Sequence, residues 1–249
     1  RGPGRGLGGM IEWLRQASAD PQITVGSRVL PIEIRRHKTA KRLTLRLAPD
    51  GSAVRITLPR WCATKEAVAF AEDRREWLAR QLEKIPEKQD PITAGKVLYR
   101  GGEIAVDWRE DAPRKPLLRD GRLQLGGPLE CSGKRLEHWL DREAIGLITG
   151  DVRYYCDRAG LPPAQVRLSR AKRRWGSCSS KGVLRLNWRL VQAPDFVRRS
   201  VVAHEVAHLV HFDHSPAFHA LLDTIYEGEI EDANRWLKQH GRTLYASFS

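Results

Sequence analysis

The stretch His204-Glu205-Val206-Ala207-His208, continued by Leu209-Val210-His211-Phe212-Asp213-His214, decides how the rest of the chain is read. Residues four apart share one face of an α-helix, so His204 and His208 can aim both imidazoles at one metal ion. Glu205 sits one position round, where its carboxylate can reach water held by that metal. A third ligand must come from outside this pair. His211 would fall on the same face of a straight helix, but three ligands along one axis would span about 10 Å. Zinc needs its nitrogens within about 2.1 Å, so they cannot all serve one ion. His214, beyond a break at Phe212-Asp213, can fold back and close the site. The expected ligands of one zinc ion are therefore His204, His208 and His214, with Glu205 catalytic. His211 is left to orient a partner or to face solvent, and His219 to the substrate side. Glu227 and Glu229 are weaker ligand candidates.

The flanks agree with a helix at this place. Pro194-Asp195 suits a first turn, and apolar residues from Val201 to Val210 carry the helical pattern to about His211. Buried neutral His and Glu in such a helix need partners, which a metal would provide. Ser215-Pro216 reads as N-cap and N1 of a helix reaching about Tyr226, and another spans about Ile230 to Gln239, ended by Gly241. Upstream, Leu136, Leu140, Leu147, Ile148, Val152 and Tyr155 recur at helical steps and predict an amphipathic helix from Gly133 to Ala159. Val166–Ser169 and Leu184–Trp188 alternate and predict strands joined through a turn-rich segment, Arg174–Ser179.

The first half reads differently. Ile32–Arg35, Leu43–Leu47 and Val54–Leu58 alternate apolar with polar residues, which predicts half-buried antiparallel strands. Pro49-Asp50-Gly51 makes a hairpin of the last two. Thr64 can cap a helix running to about Ile85. Short strands follow near Lys96–Tyr99, Glu103–Trp108 and Arg122–Leu125, around an exposed loop from Asp111 to Pro116. Gly126-Gly127-Pro128 is the expected boundary, giving an arm over 1–20, a β-rich region over 21–128 and a helical region over 129–249. Met10 is the sole methionine and a candidate start. No internal repeat stands out.

Composition sets outer limits. The chain of 249 residues is 41% hydrophobic and 29% charged, which excludes a disordered polymer. No apolar run approaches the roughly 18 residues that cross a bilayer, and no secretory leader is evident, so the expectation is a cytoplasmic protein without a membrane partner. The four cysteines have no paired spacing and read as reduced thiols, Cys178 among them. A net charge of +13 favours anionic partners, and nucleic acid or nucleotide joins peptide in the set of expected ligands. Arg35-Arg36-His37-Lys38, Lys41-Arg42 and Arg170–Arg174 are the basic clusters; a solvated surface is the competing reading. Arg173 and Arg174 lead into the Trp175-Gly176-Ser177-Cys178 run and are candidate substrate or anion contacts. Tyr226 is the candidate oxyanion donor.

Arg174-Trp175-Gly176-Ser177-Cys178-Ser179, Leu186-Asn187-Trp188-Arg189-Leu190, the HEVAH run and His214-Ser215-Pro216-Ala217-Phe218 together resemble the YgjP-like metallopeptidases, relatives of the SprT-like zinc proteases. The resemblance runs from about Ile23 onward and departs at His219, where Trp is expected. It implies an α+β fold, with a β-rich N-terminal half followed by a helical zincin-type metallopeptidase domain holding a small antiparallel sheet. It implies zinc on His204, His208 and His214, and peptide hydrolysis through Glu205-activated water. Metzincins are set aside, because their Gly is His211 here and no Met follows. Two alternatives stand beside the peptidase reading: a metal-dependent phosphohydrolase acting on nucleotides, and a nucleic-acid-binding module with a structural metal. If peptide is the substrate, the Leu184–Trp188 backbone is the expected edge on which it would lie.

Overall fold

The computed structural model describes residues 21–85 and 89–248; the expected arm over 1–20, with the candidate start Met10, lies outside the described residues. The described residues up to Ile85 form one compact unit and those from Gln89 a second.

In the first unit, alternation produces strands β1 (Gln22–Val25), β2 (Arg28–His37), β3 (Thr44–Leu47) and β4 (Val54–Pro59), with helices α1 (Thr64–Glu72) and α2 (Arg75–Glu83) after them. Their inward positions, Ile23, Leu30, Ile32, Val54, Ile56 and Leu58, bury against Ala67, Ala71, Leu78 and Leu82 of the helices. The β3–β4 hairpin forms as expected, with Asp50 accepting from the Ser52 amide and hydroxyl in its turn. The strand order is β1-β2-β4-β3, so β4 inserts beside β2 and runs parallel to it, where antiparallel strands were expected. The single helix expected to Ile85 is two. Arg74 leaves the helical region at φ −111° and ψ 17°, and the bonding restarts from its carbonyl to Leu78. Thr64 is the first helical residue rather than the cap, and its hydroxyl accepts from Arg36.

The second unit repeats the sheet plan. Strands β5 (Lys96–Tyr99), β6 (Gly102–Arg109), β7 (Leu117–Arg119) and β8 (Arg122–Gly126) pair in the order β5-β6-β8-β7, again two hairpins joined through a parallel central pair. Strand β7 is a short addition to the expected set. Asp120 and Gly121, at φ 49° and 73°, form the tight turn that joins it to β8. Helix α3 (Ser132–Arg158) follows and is the long helix the periodicity predicts. Then come β9 (Gln165–Ser169), β10 (Gly176–Cys178), β11 (Val183–Asn187), α4 (Asp195–Ala207), α5 (Pro216–Ile225) and α6 (Ile230–His240).

One core joins these parts. Leu136, Trp139, Leu140, Ile148 and Tyr155 of α3 pack with Leu123 and Leu125 of β8, Leu184 and Leu186 of β11, Trp188, and Val202 and Val206 of α4. Each buried large aliphatic side chain here contributes about 1.5–3 kcal/mol. The fold is α+β, as expected. The small sheet before α4 is mixed rather than antiparallel: β11 runs parallel to β9 and antiparallel to β10. Among the described residues no helix is long and apolar enough to cross a membrane.

Candidate metal centre

Helix α4 is held at both ends. Pro194 supplies its N-cap in extended geometry, and Asp195 opens the first turn. The Arg100-Gly101 turn between β5 and β6 docks there: Arg100 and Gly101 donate their amides to the carbonyls of Val191 and Gln192, and the Arg100 guanidinium pairs with Asp195. Gly101, at φ +85°, lies so close that a Cβ would sit 2.8 Å from Pro194. One turn on, the buried Arg198 donates to Asp151 of α3 at 2.7 Å and to Asp195 at 2.5 Å. Burial pushes the Asp151 carboxyl up, against the pull of Arg198. At Asp195 burial also pushes up, but the two guanidiniums outweigh it and the carboxyl lies below its ordinary range.

The helix ends at Ala207, four residues before the expected His211. His208 is the C-cap, and Leu209 and Val210 donate to Val206 and Ala207 in tighter turns. That early stop lets the chain reverse and bring His214 back. The ligand nitrogens of His204, His208 and His214 all lie within 4.8 Å of one another. His204 Nε2 and His214 Nε2 are 3.3 Å apart. Two ligands at about 2.0–2.1 Å on a tetrahedral ion are separated by about that distance, so the donor set fits zinc. His208 Nδ1 lies 2.9 Å from the His211 carbonyl, which as an acceptor fixes the proton on Nδ1 and leaves Nε2 for the metal. His211 thus works through its backbone. Buried Phe218 of α5 touches all three rings, with centroids 5.0, 4.6 and 4.9 Å from His204, His208 and His214. Burial first, and then the neighbouring histidines, lower the His204 pKa to about 4.

Glu205 follows His204 in α4 and is buried, 6% exposed. Burial raises its pKa to about 7, while the positive charge of Arg174 and a hydrogen bond from the Cys178 amide pull it back. The partner surface is β10, part of the segment expected to be a turn. Gly176 is required there, because a Cβ would lie within 2.5 Å of Glu205 Cγ. In the strand order β10-β11-β9, the expected peptide edge Leu184–Trp188 is central and paired on both sides, so it cannot accept another strand. The edge beside Glu205 is β10. Bonds from the Asn187 amide to the Trp175 carbonyl and from the Ser179 amide to the Val183 carbonyl set the alternation, which turns the backbone groups of Gly176 and Cys178 away from β11, the Cys178 amide toward Glu205.

The remaining candidates are spread out. Arg173 and Arg174 are exposed in the loop entering β10, and Arg174 acts on Glu205 through its charge. His219 is exposed, its ring 6.5 Å from that of His214. The Tyr226 hydroxyl donates to the Phe196 carbonyl at 2.9 Å, in the first turn of α4, and the three imidazoles gather at the opposite end. Glu227 is engaged by Arg199 and by the Tyr155 hydroxyl. Gly176, the Cys178 amide, Phe218 and the His211 carbonyl were not singled out by residue chemistry. The signal for the first three was their place in the runs Trp175–Ser179 and His214–Phe218, and for His211 an orienting role is among those expected.

The family model for the YgjP-like metallopeptidase domain matches residues 41–240. A solved structure, the metallopeptidase zymogen abylysin of Pyrococcus abyssi, is 21% identical; the match covers 38% of this chain and 96% of that one, with a TM-score of 0.35. No curated protein matches the chain. The family match takes in β3 and β4 of the first unit, the β10 edge, the HEVAH helix and the returning His214, and the chain accordingly belongs to the YgjP-like metallopeptidase family.

Proposed function

We propose that the protein is a zinc-dependent peptidase in which His204, His208 and His214 hold one ion and Glu205 is the general base. The observation that carries this reading is the convergence of three imidazoles, their nitrogens within 4.8 Å of one another, at the end of the helix that also bears the buried Glu205. When bound, zinc supplies Lewis acidity toward water and a carbonyl oxygen. Glu205 takes a proton from the attacking water and delivers it to the nitrogen of the departing amine. Burial lifts this carboxyl in the metal-free chain, which favours its holding a proton. Gly176 and the Cys178 amide hold the carboxylate in place. The open side of β10 supports an extended polypeptide as substrate, paired by backbone hydrogen bonds next to Glu205. Arg173 and Arg174 flank that path and favour acidic side chains on the substrate.

The test is Glu205→Gln. Metal analysis should find zinc at the wild-type ratio, while cleavage of unfolded polypeptide falls by about a thousandfold or more. Nucleoside triphosphates are assayed in parallel. Phosphate release from them without peptide cleavage, or an undiminished rate in the variant, would overturn the peptidase assignment.

A further inference from the structure

The first unit holds a concentration of charge that peptide hydrolysis does not use. On the outer face of its sheet, one row across the strands is Arg35, Thr57 and Thr44, and the next is Glu33, Arg55 and Arg46. Glu33 pairs with Arg55 at 2.6 Å, and Arg35 and Arg46 are exposed beside them. The register then pairs His37, the last residue of β2, with Pro59, the last of β4. That pairing sets the β2–β3 connection, with exposed Lys38, Lys41 and Arg42, at the same end of the sheet as Arg60 and Trp61. Among the described residues none of Lys38, Lys41, Arg42, Arg60 or Lys65 is in an ion pair. Arg36 leans into this end, its guanidinium 2.9 Å from the Thr64 hydroxyl. Glu66, in the first turn of α1, accepts from the Cys62 thiol.

Trp61 stands in this field 79% exposed. A single exposed ring is ordinary on a protein surface, but this one offers an open stacking face among cations whose field draws anionic ligands. We propose that this end of the sheet binds single-stranded nucleic acid, with backbone phosphates against Arg36, Lys38, Lys41, Arg42 and Arg60 and a base stacked on Trp61. Cations satisfy phosphates without reading sequence, and an indole offers a face to any unstacked base. A duplex hides its base faces, so it could use the cations but not the ring. An anionic membrane would use the charge as well, but one indole alone among polar neighbours offers little apolar surface to insert.

The full chain is titrated into a fluorescein-labelled single-stranded pyrimidine 20-mer and the corresponding duplex, and anisotropy is read at low and at physiological salt. Tighter binding of the single strand is expected, with log affinity falling against log salt by about 0.7 for each phosphate neutralised. Trp61→Ala should weaken the single strand roughly tenfold and leave the duplex unmoved. The triple variant Lys38→Gln, Lys41→Gln, Arg42→Gln should weaken both and flatten the salt slope. Circular dichroism checks that each variant stays folded, which these exposed positions favour. Absence of oligonucleotide binding at low salt overturns the proposal. So does equal affinity of the Trp61→Ala variant for the single strand, or a loss produced by Arg173→Ala with Arg174→Ala in place of the triple variant. Binding to phosphatidylserine vesicles but not to oligonucleotide would assign the surface to membranes and overturn it too.

Discussion

Gly176 and Glu205 are bound to each other's identity. The strand passes so close to the carboxylate that even a methyl group has no space beside Glu205 Cγ. Gly176→Ala should push the carboxylate off its Cys178 hydrogen bond and cut turnover by about a hundredfold, the scale of a 1 Å misplacement, with zinc content unchanged. A wild-type rate in that variant would mean the carboxylate has more freedom than this packing allows. His204 makes a second prediction, in the metal-free protein. Its folded pKa is about 4 against the ordinary 6.5. Between those values the unfolded chain takes up a proton that the folded chain refuses. This contribution to stability is therefore complete above pH 6.5 and is lost as pH falls toward 4. Its size is on the order of 2 kcal/mol, allowing for partial exposure. Urea midpoints of the chelated protein at pH 7.5 and pH 5 should separate more for wild type than for His204→Asn; an equal separation would rule His204 out as the source. These residue-level features differ in how far the chain announces them. The three histidines and Glu205 follow from spacing and ligand chemistry alone. The glycine does not, because its role is the space it leaves empty, and nothing in a residue's own chemistry states what will press against it.

At the scale of elements, helix α4 is fixed by charge as much as by packing. Arg198 is 2% exposed and joins Asp151 of α3 to Asp195 at the helix start. Arg198→Met fills much the same volume but takes the closest cation from the largely buried Asp151, while Asp195 keeps Arg100. It should cost about 3–5 kcal/mol in urea unfolding. Adding Asp151→Leu should restore a substantial part of that loss; no recovery would show that the pair is not where the energy lies. Element existence was largely legible. Periodicity gave α3, α5 and α6 within a residue or two, and the Pro49-Asp50-Gly51 turn gave the β3–β4 hairpin. Partnering was not, since alternation shows which residues face inward but carries no record of which strand lies alongside. For that reason the parallel β2–β4 pair and the central position of β11 came as corrections. The stop of α4 at Ala207 was missed for a related reason: its apolar pattern continues past the point where the backbone turns.

Across the whole molecule, the two four-stranded sheets share one order and one set of pairing directions, although no residue repeat links them. A plan specified by inward and outward positions survives free exchange of the side chains that fill them. Most of the chain's architecture was readable at that coarse level, and the assignment of partners to its basic surfaces was not, because charge composition does not say where the strands will gather it. The docking of the Arg100-Gly101 turn at the head of α4 has a kinetic side as well. Arg100 and Asp195 are 95 residues apart along the chain. On the ribosome, the β5–β6 hairpin emerges well before the helix it must grip, and it waits with its apolar side uncovered until α3 and α4 are made. Closing so long a loop is slow, so native assembly of the catalytic helix should come late in folding, in the interval when the nascent protein is most open to aggregation and most dependent on chaperones.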